Sequence, residues 1–204
     1  MQIKLLDQTL VMENEISEID KLFTKIDQLV HDANLVVSSI HVDNEEIYND
    51  HYQYIVDRLD TIRSITVHLL TPDELVAEML GTANEYLVAA IPGIEGLSSE
   101  YYANSADKWE KTEHFLEGMQ WLTGLLQQVK LTLDKKGLTE QSQAFQNLVN
   151  RLNEQLLSLE RTLKDSDSVL SGDILKYEIV PILETVNERI QEIADSGVVK
   201  YDLN

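Results

Sequence analysis

The stretch FQNLVNRLNEQLLSLERTL, from Phe145 to Leu163, decides the fold. Its apolar residues recur at short, regular intervals: Phe145, Leu148, Val149, Leu152, Leu156, Leu159 and Leu163. This spacing returns each of them to one side of a helix with about 3.6 residues per turn, while the polar residues between them face away. The stretch therefore predicts an amphipathic helix packed against other helices, with Leu152 and Leu156 at the centre of the contact.

Thr71-Pro72-Asp73-Glu74 predicts the start of another helix. Threonine is a helix cap, proline suits the first helical position, and a glutamate at the third can bond back to the cap. The apolar stripe that follows keeps its phase across a proline: Leu75, Met79, Ala83, Tyr86, Ala90, Ile94, Leu97 and Tyr101. We therefore expect one helix kinked at Pro92, with a break at Ile91-Pro92 as the alternative.

Two further stripes complete a group of four helices. One consists of Trp109, Leu116, Met119, Leu122, Leu126, Val129 and Leu133, and the other of Leu175, Ile179, Leu183, Val186, Ile190 and Ile193. The segment from Asp165 to Gly172 is typical of a polar turn, and Pro181 predicts a bend or an irregular start in the last helix. Because the connections are short, residues 72–204 are expected to form an antiparallel four-helix bundle with a short mobile end from Val198 to Asn204.

Residues 1–71 contain shorter elements with a different period. Ile3 and Leu5 alternate with polar residues and Leu10-Val11-Met12 follows a turn, which predicts a hairpin. The elements predicted next are a helix from Ile16 to Val30, strands at Leu35–Val42 and Glu46–Tyr48, a short helix around Ile55 and a strand at Ile65–Leu70.

The order ββαββαβ, with the opening Met1-Gln2-Ile3 and the closing Thr66-Val67-His68-Leu69, resembles the β-grasp fold of ubiquitin. The resemblance covers about a third of the chain. It implies a module that docks to other proteins through its sheet. Ubiquitin-like conjugation is not implied, since Leu70 runs into Thr71-Pro72 where a diglycine tail would be needed. The predicted fold is therefore α+β: a β-grasp-like domain over residues 1–71, followed by the bundle over residues 72–204.

The whole chain also resembles uncharacterised bacterial proteins. The resemblance lies in a helix that contains Trp109 and Trp121 and in the late segment Tyr177-Glu178-Ile179-Val180-Pro181. It implies no activity.

The composition is that of a folded, strongly acidic protein. Hydrophobic residues make up 43% of the chain and charged residues 25%, and no apolar run approaches the eighteen or so residues that a membrane helix needs. No secretory signal opens the sequence, so a cytoplasmic protein without a membrane segment is expected. The absence of cysteine excludes disulfides and thiolate chemistry. The net charge of −20 repels nucleic acid and anionic membranes and attracts a basic partner.

Motifs that could carry chemistry are weak. The five histidines, His31, His41, His51, His68 and His114, lack the spacing of a helical metal site. The segment Gly93-Ile94-Glu95-Gly96 has neither the preceding strand nor the Lys-Ser/Thr of a phosphate loop. No catalytic, cofactor-binding or metal-binding residue is therefore predicted, and no cofactor. The alternative function is a metal-binding or enzymatic helical bundle that uses acidic or histidine residues.

Two surfaces are the candidate sites. Alternation directs Lys4, Ser39, His41 and His68 to the sheet face opposite the helix, where they could meet a partner. Trp121 and Leu125 would form an apolar strip along the edge of the second bundle helix. The predicted function is a non-enzymatic protein–protein interaction module, acting as an adaptor or regulator. The predicted partner is another protein, for which the charge favours a basic one, or a second copy bound through the bundle.

Overall fold

The computed structural model describes residues 1–47 and 50–195 of the chain. The chain divides into two compact units, Met1–Leu75 and Val76–Asn204. The first contains a five-stranded sheet and the second is built from helices, so the protein is α+β. The predicted strand end at Tyr48 and the predicted mobile end from Val198 lie outside the described residues.

The first unit is a mixed sheet with helices between its strands. Its elements are β1 (Gln2–Leu5), β2 (Gln8–Val11), α1 (Ile16–Asp32), β3 (Val36–Val42), β4 (Glu45–Ile47), α2 (His51–Asp57) and β5 (Ser64–Leu70). The strand order is β2-β1-β5-β3-β4. β1 pairs parallel with β5, and the other neighbouring strands pair antiparallel.

Strand alternation gives this sheet one apolar face. The buried strand residues are Ile3, Leu5, Ile40, Val42, Ile47, Ile65 and Val67, and they share a core with Ile19, Leu22 and Ile26 of α1. Ile16, which the sequence places at the start of the buried helix face, is exposed. The residues between the buried ones on each strand point to the opposite face of the sheet.

The second unit is a series of long helices. Its elements are α3 (Pro72–Tyr102), α4 (Lys108–Lys135), α5 (Thr139–Lys164), α6 (Ser168–Asp173), a π-helical turn (Ile174–Ile179) and α7 (Val180–Asp195). Among the helices that the structure describes, none has both the length and the apolar character that spanning a membrane requires.

The predicted capping box at the start of α3 is confirmed. The Thr71 amide donates to Glu74 Oε2 at 2.7 Å, and the Glu74 amide donates to Thr71 Oγ1 at 3.2 Å. The hydrogen bonds from the Thr71 backbone and side chain hold the pKa of the Glu74 carboxyl below its usual range. α3 then runs through Pro92 without interruption, so the prediction of a single helix is also confirmed.

The buried side of α3 differs from the predicted stripe in its first half. Val76, Leu80 and Leu87 are buried, whereas Met79 and Tyr86 are only half-buried. Leu75, Met79 and Tyr86 each have an apolar neighbour one position later in the chain, as in Leu75-Val76 and Met79-Leu80. Two rotations of this helix about its axis are therefore compatible with the pattern, and packing selects between them.

The first turns of α4 also correct the prediction. Trp109 is 53% exposed and Leu116 is exposed as well, although both were assigned to the buried stripe. Lys108, Thr112 and Phe115 are buried in their place. Lys108, Thr112 and Phe115 extend the helical spacing of Met119 and the later buried residues towards the start of α4. Because Lys108 and Thr112 are polar, the hydrophobic pattern does not reveal this extension.

The segment before the last helix is more regular than predicted. Asp167 starts α6 by accepting a hydrogen bond from the Leu170 amide at 3.0 Å, so the predicted polar turn is wrong from Ser168 onwards. The irregular start predicted from Pro181 is the π-helical turn Ile174–Ile179. In a regular α-helix the ring of Pro181 would clash with the carbonyl of Tyr177, and the wider turn lies at this position.

α5 agrees closely with its sequence pattern. Phe145, Leu148, Val149, Leu152 and Leu159 are buried in the core of the second unit. Leu156 is half-buried and packs against that core from its edge, so its predicted central position is wrong. Leu152 is the residue at the centre.

We predict that a fragment beginning at Thr71 folds without the sheet. The core of the second unit consists of residues from Val76 onwards, so removing residues 1–70 removes none of its buried apolar side chains. Far-ultraviolet circular dichroism of the fragment should show a strongly helical spectrum and a cooperative thermal transition. An unfolded fragment, beside a full-length control that melts cooperatively, would contradict the prediction.

Candidate functional site

A row of polar side chains crosses the solvent face of the sheet. The strand register aligns Thr9, Lys4, Thr66, His41 and Glu46, one residue from each of the five strands. All five lie on the face opposite the buried strand residues, because side chains alternate between the two faces. The face therefore presents hydrogen-bonding groups across its full width.

His41 and His68 are neighbours on this face, as the sequence predicts. His68 of β5 pairs with Ser39 of β3. Two residues away on each strand, Thr66 of β5 pairs with His41 of β3. The imidazole ring centroids are 5.1 Å apart in an edge-to-face arrangement. His41 Nε2 lies 3.7 Å from Glu46 Oε1 on the far side. Lys4, Ser39, His41 and His68 thus form one surface, although their predicted role in partner binding stays a prediction.

This surface does not supply a recognisable metal site. Within residues 1–47 and 50–195, no group of three or more histidine, aspartate and glutamate side chains is placed to hold a metal ion. His41 lies beside His68 and Glu46, but the three side chains do not form such a group.

The Trp121 edge of the helical unit is only partly as predicted. Trp121 is 41% exposed, and its ring lies edge-on to Tyr86 of α3 with centroids 5.1 Å apart. Leu125 is half-buried and packs against the core, so it does not extend an exposed apolar strip. The close contact between the helices depends on Gly118, since a Cβ there would lie 1.9 Å from the Tyr86 hydroxyl.

A groove next to this edge was not predicted. It encloses about 340 Å³ between α3 and α4 and is lined mainly by apolar side chains, among them Tyr86, Ala90, Ile94 and Phe115. Burial raises the pKa of the Tyr86 hydroxyl. The small residues Ala89, Ala90 and Gly93 were the signal in the sequence, because they leave space beside a neighbouring helix.

The fold is of the α+β class, with an N-terminal sheet followed by long helices. The chain belongs to the family described as a domain of unknown function (DUF8042), whose model matches residues 78–189. No curated protein and no solved structure matches the chain. The family match runs from α3 into α7, so the groove and the Trp121 edge lie inside it and the sheet surface lies outside it.

Proposed function

We propose that this protein is a non-enzymatic interaction module, an adaptor or regulator, that docks to another protein through the solvent face of its sheet. The proposal includes a β-grasp arrangement for the first unit and an antiparallel four-helix bundle for the second. The strand order β2-β1-β5-β3-β4, with parallel neighbours β1 and β5 and with α1 on one face, supports the first assignment. The short connections between long helices support the second.

The observation that carries the proposal is the continuous polar row on the sheet. Helix α1 covers the apolar face of the sheet, so the opposite face is the one that a partner can reach. Its side chains are short or amphipathic hydrogen-bonding groups, which suit a transient contact better than an obligate apolar interface.

The charge of this surface differs from that of the chain. The protein carries −20 overall, but among the described strand residues on this face Glu46 supplies the one carboxylate, against Lys4 and two histidines. The overall charge steers a basic partner towards the protein. At the contact itself, Lys4 and the histidines favour a partner surface with carboxylate or carbonyl acceptors.

We predict that partner binding depends on the paired histidines, because their ring nitrogens can form hydrogen bonds with groups on a partner surface. The charged groups facing the histidine pair on neighbouring strands are Lys4 and Glu46. Replacing His41 and His68 together by Ala should weaken binding about three- to tenfold, because their hydrogen bonds to the partner are lost. Capture of the partner on immobilised protein, followed by titration calorimetry, measures this loss of affinity.

His31→Ala is the matched control, since His31 is exposed in the last turn of α1, away from the strands. It should bind as the unmodified protein does, and all variants should melt at nearly the same temperature. Normal binding by the His41 and His68 double variant would falsify docking through the sheet. If Trp121→Ala then abolishes binding, the working surface is the helical edge, and a homodimer through the helices is the form to test by analytical ultracentrifugation.

A further inference from the structure

A lysine is buried among polar groups of the second unit. Lys108, the first residue of α4, is only 6% exposed, although the sequence pattern gives no reason to place it inside. Burying an ammonium group costs free energy unless nearby groups compensate its charge. The groups around Lys108 therefore indicate what the site accommodates.

The hydrogen bonds and ring contacts of the Lys108 ammonium within the described residues are with neutral groups. Its Nζ donates to Asn104 Oδ1 and, at 3.0 Å, to Ser168 Oγ. It also lies 5.3 Å from the ring centroid of Tyr101 and 5.6 Å from that of Trp109. These contacts stabilise the cation without neutralising it, and no carboxylate of residues 1–47 or 50–195 forms an ion pair with it.

The ammonium borders a cavity of about 350 Å³. Asn104 and Ser166 line it from the ends of α3 and α5, and Ser168 and Ser171 line it from α6. This volume is at the lower end of the range for small-molecule sites, which begins at about 300 Å³.

Among the side chains that line this cavity, more hydrogen-bond donors than acceptors remain without a partner in the protein. The Thr162 and Ser171 hydroxyls lie within hydrogen-bonding distance of each other and of backbone carbonyls, so their protons already have acceptors. Asn104 Oδ1 and Ser168 Oγ already accept from Lys108. Among described residues, no protein acceptor is found for the Asn104 amide protons, the Ser166 and Ser168 hydroxyl protons or the third proton of the ammonium, and Asn104 and Ser166 are exposed to solvent.

Two of these donors occupy positions that usually favour glycine. Asn104 has φ 52° and Ser166 has φ 57°, both in the left-handed region. Each follows the end of a helix, where the next residue bonds back to the last turn: Ser105 to the Glu100 carbonyl, and Asp167 to the Thr162 carbonyl. A glycine would relieve the backbone strain, but it would remove a side chain that lines the cavity.

We propose that the Lys108 cavity binds the oxyanion group, a phosphate or a carboxylate, of a small ligand. The ammonium supplies the charge, and the amide and hydroxyl donors surround the oxygens. Asp107, Asp165 and Asp167 adjoin Lys108 and Ser166 in the chain and oppose an anion, but all three are exposed and screened by solvent, whereas the ammonium of the buried Lys108 acts at hydrogen-bonding distance. This site is independent of the sheet surface, and all its residues lie within the family match.

Trp109 provides the test, because it borders the cavity and is one of only two tryptophans in the chain. In full-length protein with Trp121→Phe, titrate inorganic phosphate and, separately, acetate against chloride at constant ionic strength. A saturable change in Trp109 fluorescence is expected with at least one of them. The unmodified protein should melt at a higher temperature with the same anion, since a ligand at ten times its Kd raises the folded-to-unfolded ratio about elevenfold.

Lys108→Met should weaken binding at least tenfold. Asn104→Gly should weaken it about three- to tenfold, and it keeps the left-handed backbone if Lys108→Met fails to fold. Lys176→Met is the matched control and should bind normally, because Lys176 is an exposed lysine beside the ring of Tyr177. Saturation by phosphate alone or by acetate alone supports the site and identifies its oxyanion. No saturable response to either anion, or equal binding by the Lys108 and Asn104 variants, overturns the proposal.

Discussion

Leu152→Ala is expected to lower the free energy of unfolding of the helical unit by about 2–5 kcal/mol. Leu152 is 0% exposed and lies in the core that α5 shares with α3, α4 and α7. Truncation removes its buried methyl groups and leaves a cavity that surrounding helices fill only in part. Urea unfolding followed by circular dichroism measures the loss as a lower midpoint at an unchanged slope.

Leu157→Ala is the matched control for this measurement. It makes the same chemical change in the same helix at a side chain that is 54% exposed. Its cost should stay within about 0.5 kcal/mol, as for other surface substitutions. Leu156, half-buried at the edge of the core, should give an intermediate value. Equal losses at Leu152 and Leu157 would mean that α5 does not bury the side assigned to it.

Gly172→Ala is expected to destabilise the protein by about 1–3 kcal/mol through overpacking. A Cβ at Gly172 would lie 2.9 Å from Cε1 of Tyr102 and 3.2 Å from the backbone oxygen of Ser98. Hydrogen bonds restrain both neighbouring residues: the Tyr102 hydroxyl donates to Asp173 at 2.6 Å, and Ser98 Oγ donates to the Gly172 carbonyl at 2.8 Å. The clash should therefore separate α6 from α3, and a lower thermal midpoint is the readout.

Gly124→Ala controls for the intrinsic preference of helices for alanine. Gly124 is an exposed residue within α4, and a Cβ there would meet no atom within 4 Å. This variant should gain roughly 0.5–1 kcal/mol, because glycine is a poorer helix former than alanine. If Gly172→Ala gained stability by a similar amount, α6 and α3 could separate without loss of stability, and the prediction of a destabilising clash would be wrong.

The positions of His41 and His68 follow from local pattern alone. A strand directs alternate residues to opposite faces, so Ile40, Val42 and Val67 in the core require both histidines to point outwards. The Thr71–Glu74 cap follows in the same way, since it involves only groups within one helical turn. The buried side of α5 was predictable because polar residues mark its opposite side.

Other features depend on contacts between segments distant in the chain. Apolar residues occupy adjacent positions in α3, so its rotation follows from the helices packed against it rather than from its own sequence. Gly118 permits the approach of Tyr86, and neither residue indicates the other in the sequence.

The Lys108 cavity also depends on contacts between segments that are distant in the chain. Periodicity reports the water-facing and core-facing sides of a helix, and on that basis a lysine belongs outside and Trp109 inside. The structure reverses them, because Asn104 and Ser168 converge on the Lys108 ammonium from the end of α3 and the start of α6. Ser168 is distant from Lys108 in the chain, and only the folding of α5 and α6 brings its hydroxyl within hydrogen-bonding distance. Sequence thus determined the elements and the outward face of the sheet, whereas a polar site assembled from four helices existed only once those helices had packed.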